Sequence, residues 1–126
     1  MLLDTNAVIG ILAKNAELLA FLRQFDQLLV PSPALGELYF GAYKSQKQAF
    51  NLEAIHEFLS RGAIVLPITA ETAQHYGAIR DELRRVGRPI PVNDLWIAAV
   101  ARQQELPLAS RDGHFDAVAG LTRRAW

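Results

Sequence analysis

The sequence predicts an α/β fold with a mostly parallel sheet, and three observations carry that reading. Short apolar runs alternate with helical segments along the chain. The run Ala63-Ile64-Val65-Leu66, bounded by Gly62 and Pro67, has the unbroken hydrophobicity of a strand covered on both faces. The stretch Leu95-Trp96-Ile97-Ala98-Ala99-Val100-Ala101 is apolar on every side, which marks a helix packed centrally in a domain.

The opening triplet Met1-Leu2-Leu3 reads as a first strand ending at Asp4, after which Thr5 and Asn6 offer side-chain oxygens to the free amides of a helix through Ala7–Ala13. Asn15 caps a second helix, in which Leu18, Leu19, Phe21, Leu22 and Phe25 recur at helical spacing, and the strand Leu28-Leu29-Val30 follows. Pro31-Ser32-Pro33 closes that strand. A helix is expected from Ala34 to Tyr43 and another from Gln48 to Ser60, the second turning Phe50, Ile55, Phe58 and Leu59 inward. After the strand at 63–66 a long helix covers Thr69 to Val86. Thr72 stands where a capping box wants Glu, so a full box is not expected, and Gly87 ends the helix. Asn93 starts the central helix, whose beginning is expected to be buried. Leu106-Pro107-Leu108-Ala109 gives a fourth strand, Ser110 to His114 a turn, and Leu121-Thr122-Arg123-Arg124 an edge strand.

A chain of 126 residues with 51% hydrophobic content suits one domain spanning residues 1–126 around one core. Thirteen Lys and Arg balance thirteen Asp and Glu, so a polybasic coat is excluded and any nucleic-acid contact must come from a local patch. The absence of cysteine excludes a thiolate nucleophile, a thiolate zinc site and an iron–sulfur cluster, and suits a reducing cytosol. No basic region precedes an apolar run at the N-terminus, and no stretch reaches a membrane span without a charge or a turn. A soluble, cytoplasmic protein with no membrane partner is expected.

Four carboxylates stand in places where chemistry is common. Asp4 directly follows the first strand, and ligands of open α/β sheets sit at the carboxyl ends of strands; helix capping would equally place an Asp there. Glu37 is the one charge in Pro33–Ala42, with the small residues Ala34 and Gly41 one turn to either side leaving space over it; a surface Glu between apolar stripes is the alternative. Asp94 opens the all-apolar helix on the face of Ile97, Ala98 and Ala101, and an inward carboxylate needs a partner. Asp112 follows the fourth strand in Ser110-Arg111-Asp112-Gly113, where Asp-Gly is also an ordinary turn pair. Asp116 reads as surface or turn. If the four converge, their like charges must take up protons or share a cation, and oxygen-only ligands favour Mg²⁺ or Mn²⁺. Metal-assisted hydrolysis of a phosphate ester is the natural class.

These motifs resemble those of the PIN-domain ribonucleases, most closely the VapC-type toxins of bacterial and archaeal toxin–antitoxin pairs. The likeness covers nearly the whole chain and rests on Leu2-Leu3-Asp4-Thr5-Asn6, on Pro33–Ala42 with Lys44-Ser45, on Ile90-Pro91-Val92-Asn93-Asp94-Leu95-Trp96-Ile97-Ala98-Ala99, and on Leu108-Ala109-Ser110-Arg111-Asp112-Gly113-His114-Phe115. It implies a single PIN-like domain with a five-stranded parallel sheet between helices, an acidic site binding Mg²⁺ or Mn²⁺, homodimerisation, and endoribonuclease activity restrained by a cognate VapB-type antitoxin. By residue, Asp4, Glu37, Asp94 and Asp112 match the family's four catalytic, metal-binding acids. Asn6 matches a polar position beside the site, and Ser110 keeps the hydroxyl of the family's frequent Thr. The departure is His114, where many relatives carry a further acid, and one metal rather than two is the resulting expectation.

Two rival classes fall on residues alone. A haloacid-dehalogenase-type phosphatase needs a second Asp two residues after the first, where this chain has Asn6, and a receiver-like domain needs an acidic pair and a late lysine. A housekeeping PIN-type RNA-processing nuclease and a catalytically silent RNA- or protein-binding module on the same fold stay open. For RNA, Arg80 and Arg84 lie one turn apart, Arg85 adjoins them, Arg88 follows Gly87, and Lys44 and Lys47 follow the helix of Glu37. These side chains suit backbone phosphates, and equally a solvated face balanced by Asp81 and Glu82. His56 and His75 lie in helices without metal-ligand spacing and read as surface or half-buried side chains.

Overall fold

A computed structural model describes the chain from Met1 to Trp126. Its elements are β1 (Leu2–Leu3), α1 (Thr5–Leu12), α2 (Ala16–Leu22), β2 (Leu29–Pro31), α3 (Ser32–Tyr43), α4 (Gln48–Ser60), β3 (Ile64–Leu66), α5 (Ala70–Arg85), α6 (Val92–Gln104), β4 (Leu108–Ala109), a 3₁₀ turn (Gly113–Ala117) and β5 (Arg123–Arg124). The strands form one sheet in the order β3-β2-β1-β4-β5, with every pairing parallel. Leu2, Leu3, Val30, Leu108 and Ala109 are all fully buried, because helices cover both faces of the central strands. α6 supplies Leu95 and Ile97 through Ala101 to the same core, which accounts for its lack of a polar face. No single helix is long and apolar enough to cross a membrane.

The sheet order sets the site. From β1 the chain proceeds to β2 and β3 on one side, while β4 and β5 lie on the other, so the strand order reverses between β1 and β4. Crevices open at the carboxyl ends of strands flanking such a reversal. The backbone ladder runs one step past the strands, with the Asp4 amide donating to the Ala109 carbonyl at 3.3 Å and the Ser110 amide to the Arg124 carbonyl at 3.1 Å. Asp4 and Ser110 therefore leave the sheet side by side.

Several local expectations change. α1 is capped by Asp4 itself, whose Oδ1 accepts from the Ala7 amide at 2.7 Å, since Asp4 rather than Thr5 or Asn6 is the last residue with extended backbone. α3 begins at Ser32, two residues earlier than expected, because Pro33 falls in the first turn, where a missing amide costs nothing. The α5 capping box does close. The Thr72 hydroxyl accepts from the Thr69 amide at 3.0 Å, and Thr69 Oγ1 accepts from the Thr72 amide at 3.3 Å, so a hydroxyl replaces the Glu carboxylate. Gly87 then ends that helix at a φ of +69°, open to glycine at no steric cost. β3 is an edge strand rather than a strand covered on both faces, and Ile64 and Val65 are 39% and 38% exposed. Phe50 points outward, because at 100° per residue it lies about 140° from Ile55 and about 80° from Phe58, the two residues that face the core. The start of α6 is half-exposed at Asn93 and Asp94 and open at Val92, so burial begins only at Leu95.

α5 and α6 are joined most specifically. Tyr76 stacks on Trp96 with ring centres 4.0 Å apart, Arg102 pairs with Glu82 at 2.7 Å, and the buried Thr72 hydroxyl donates to Gln103 Oε1. Thr72→Val keeps the side-chain shape but removes the Thr69 amide's half of the box and this link, leaving the bond from the Thr72 amide to Thr69 Oγ1. Urea denaturation should show a loss of about 1–3 kcal/mol. Phe50→Ser should stay within about 0.5 kcal/mol of the parent, as a surface change does; a larger loss would mean that Phe50 packs against the core.

Candidate functional site

Four segments bring carboxylates to the carboxyl edge of the sheet, and each is held by its backbone. Asp4 ends β1 and is 4% exposed, so its side chain has almost no contact with solvent. Its charged form is supported by the Ala7 amide and by a hydrogen bond with the Ser110 hydroxyl. The fully buried Ser110 also accepts from the Asp112 amide at 2.9 Å, while Arg123 donates to its carbonyl at 3.1 Å. Asp112 caps the 3₁₀ turn, with Oδ1 accepting from the His114 amide at 2.9 Å. The far side of that turn is pinned by Asp116, which forms two 2.8 Å bonds with Arg123 of β5.

Asp94 comes from the first turn of α6, above Ile97, Ala98 and Ala101 of the core. Glu37 comes from the middle of α3 and is tethered rather than free: Thr5 Oγ1 donates to its Oε1 at 2.9 Å, and the Asn93 side-chain amide donates to the same oxygen. Asn93 Nδ2 also approaches the Pro33 carbonyl at 3.5 Å, linking the starts of α3 and α6. The surface beside Glu37 is open, since a Cβ added at Gly36 or Gly41 would meet nothing within 4 Å.

The electrostatics show that these groups share one field. Burial pushes the Asp94 carboxyl up to about 6, Asp112, Glu37 and Asp4 add repulsion, and His114 pulls the other way. Burial likewise raises Asp4, against the hydrogen bonds from Ser110 and Ala7, and Asp112 and Glu37 repel it further. The arrangement is thus deficient in positive charge. It offers anionic oxygens to a cation, and Asp94, Asp112 and His114 could each direct one donor atom at a common ion, these atoms lying within 4.8 Å of one another.

Of the residues singled out in the sequence, Asp4, Glu37, Asp94, Asp112 and Ser110 are brought together. Asn6 is exposed in the first turn of α1, and its side chain makes no hydrogen bond within the protein. The basic residues lie outside the carboxylate cluster. Arg80 and Arg84 border an apolar cavity of about 370 Å³ with Leu83, Pro89, Ile90, Val92 and Leu95. Arg80 donates to the Tyr76 hydroxyl at 2.8 Å, and Arg84 pairs with Asp81 at 2.7 Å. Arg88 borders a second, more polar cavity of about 330 Å³ that includes His114 and shares Pro89 and Ile90 with the first. The ammonium of Lys44 lies 5.0 Å from the Phe40 ring centre, and Lys47 precedes α4, neither forming an ion pair. Three neighbours of the acids have contacts that the sequence did not reveal: Thr5 and Asn93, read there only as helix-start residues, and His114, read as the departure from the family's further acid. Thr5 and Asn93 adjoin acids in the chain, yet their bonds to Glu37 span 32 and 56 residues, which no local spacing encodes.

The chain matches the PIN domain family over residues 1–121. It is 37% identical to the ribonuclease VapC2 of Haemophilus influenzae, covering 99% of this chain and 96% of that protein. It is 40% identical to the tRNA(fMet)-specific endonuclease VapC of Shigella flexneri over 79% of this chain and 76% of that one. Among solved structures, the DNA-bound VapBC of Salmonella typhimurium superposes with a TM-score of 0.91 at 30% identity, over 99% of this chain and 96% of its counterpart.

The raised Asp94 carboxyl has a consequence for stability. A group whose folded-state pKa lies above its unfolded value supports folding below the unfolded value, and that support is lost as pH rises through the folded value. In EDTA, the melting temperature should therefore fall as pH rises from 5 to 7.5, through about 6. Asp94→Asn should flatten the fall, and a divalent cation should raise the melting temperature more at pH 7.5 than at pH 5, where protons compete for the carboxylates. Differential scanning fluorimetry reads all three; a pH-independent cation effect would contradict the assignment.

Proposed function

We propose that this chain, which belongs to the PIN domain family and to the VapC ribonucleases within it, is a metal-dependent endoribonuclease acting in the cytoplasm as the toxin of a toxin–antitoxin pair. The observation that carries the reading is the convergence of Asp4, Glu37, Asp94 and Asp112 from four separate segments into one field of mutual repulsion. The donor set fits a hard divalent cation, Mg²⁺ or Mn²⁺, because it is rich in carboxylate oxygens. A buried Asp4 and a raised Asp94 are the state expected of such ligands before their counter-charge arrives.

Asp94 and Asp112 would hold the cation, with Asp4 and Glu37 completing the negative field. When bound, the cation lowers the barrier to attack of water on phosphorus and stabilises the charge that builds on the phosphodiester. The remaining work belongs to the chain. Ser110 orients Asp4 and the turn bearing Asp112, while Thr5 and Asn93 keep Glu37 aimed across the mouth of the site. Asp112 is half-buried and Glu37 exposed, so water and substrate reach the centre past them. RNA is the substrate, and tRNA(fMet), named for the Shigella relative, is the first to test.

The antitoxin has two features to grip. The apolar cavity beside Val92 and Leu95 accepts hydrophobic side chains, and the carboxylate cluster that Asp94 joins from the same helical turn accepts an Arg or Lys in place of the cation. Phe40, Tyr43 and Phe50, 65%, 60% and 72% exposed, leave further apolar surface for the antitoxin or for a second copy in a homodimer.

Asp94→Asn should lower RNA cleavage by about 10³-fold or more with no fall in melting temperature in EDTA, and EDTA should abolish cleavage by the parent. In cells, induction of the protein alone should arrest growth, Asp4→Ala and Asp94→Ala should not, and co-expression of the adjacent antitoxin gene should restore growth through a complex that survives purification. Cleavage that persists in Asp94→Asn or in EDTA would overturn the metal-dependent reading; absence of any copurifying partner would favour a housekeeping RNA-processing role.

Arg80, Arg84 and Arg88 would follow the RNA backbone. Replacing the three by Ala should weaken RNA binding and reduce the slope of log affinity against log salt by about 1 for each phosphate no longer neutralised, with Arg84 contributing least because Asp81 holds it. An unchanged slope in filter binding would return them to a solvated face.

A further inference from the structure

We infer that His114 is itself a ligand of the cation at this site, supplying a nitrogen donor among the carboxylates, and that this donor shifts the site's preference from Mg²⁺ towards Mn²⁺. The inference rests on the metal-dependent reading above and concerns which atoms hold the ion.

Three observations support it. His114 Nδ1 lies 3.2 Å from Asp112 Oδ1 and 4.0 Å from Asp94 Oδ2. Donors each about 2.1 Å from a shared six-coordinate ion lie about 3.0 Å apart when adjacent and about 4.2 Å apart when opposite, so both spacings suit a common ion with little movement. The side chain is also placed by a built turn. The His114 amide is held by Asp112 Oδ1 at 2.9 Å, and the Asp116–Arg123 pair fixes the other end of the same turn, so the imidazole is directed by the scaffold that directs Asp112. Finally, the ring is 57% exposed, which leaves one face towards the cavity shared with Arg88 while Nδ1 faces the acids. A donor with room to adjust can close on an ion without disturbing the core.

The chemical consequence follows from ligand type. Both ions suit oxygen donors, but Mn²⁺ belongs to the first-row transition series and gains from an imidazole nitrogen where the harder Mg²⁺ gains little. Replacing one oxygen by nitrogen therefore raises affinity for Mn²⁺ relative to Mg²⁺. Two other uses of the ring, as a plain counter-charge to Asp112 and as a contact to RNA, predict no nitrogen bonded to the ion.

The test loads the full chain with Mn²⁺ and records electron spin-echo envelope modulation, which detects a coordinated ¹⁴N directly. The parent should show imidazole ¹⁴N modulation, and His114→Gln and His114→Asp should lack it with unchanged circular dichroism. By titration calorimetry, His114→Gln should lose about 10-fold or more in Mn²⁺ affinity, a bound ligand costing at least what an outer-shell partner does, while Mg²⁺ affinity changes much less. Mn²⁺ binding without ¹⁴N modulation in the parent, or equal losses for the two ions, would overturn the ligand assignment and leave the metal-dependent reading standing. A reduction of RNA affinity with Mn²⁺ affinity intact would give the ring to the substrate instead and also overturn it. Failure of the parent to bind either ion would overturn both.

Discussion

Carboxylates gathered away from bulk water repel one another and lose hydration, and a chain sustains that arrangement only when its backbone gives them no other place to go. Here Asp4 is fixed by the end of the central strand, Asp112 by a turn after the adjacent strand, Asp94 by the first turn of the most buried helix, and Glu37 by two hydrogen bonds reaching α3 from α1 and α6. Asp4 and Asp112 cannot swing away without breaking a cap, and Glu37 cannot leave without giving up its bonds to Thr5 and Asn93. The energy of the fold is spent in part on keeping negative charge concentrated.

That constraint explains features that look purely structural. Ser110 is buried because one hydroxyl must serve both Asp4 and the turn carrying Asp112. The Arg123–Asp116 pair lies on the surface, where an ion pair contributes little to stability; its place at the end of the 3₁₀ turn gives it a positioning role. The strong attachment of α5 to α6 through Thr72, Tyr76 and Glu82 anchors the helix that presents Asp94.

The same constraint separates chemistry from recognition. The carboxylate centre is polar and open on one side, whereas the adjoining cavity between α5 and α6 is apolar and rimmed by arginines. A protein with no net charge cannot attract RNA through its overall field, so contacts must be local and strong. The exposed aromatic residues of α3 and α4 take no part in lining that cavity.

Much of this was legible in the amino-acid order. Strand and helix alternation specified the parallel sheet, the all-apolar run from Leu95 specified the central helix, and the acids after the first and fourth apolar runs marked the strand ends. These signals are local or periodic, and local backbone preference suffices to express them. What lay beyond them required tertiary contact. An apolar run reads alike at a sheet edge and at its centre, so the exposure of Ile64 and Val65 depended on the strand order. The inward stripe of α4 excluded Phe50 only once the helix took a definite rotation against the core. The bonds of Glu37 to Thr5 and Asn93, and the 4.0 Å approach of His114 to Asp94, join residues far apart in the chain, and only folding brings their polar atoms together. The sequence by itself determined which carboxylates stand at strand and helix ends; the tertiary structure decided which neighbours share their field, because electrostatic coupling depends on distance through space and not along the chain.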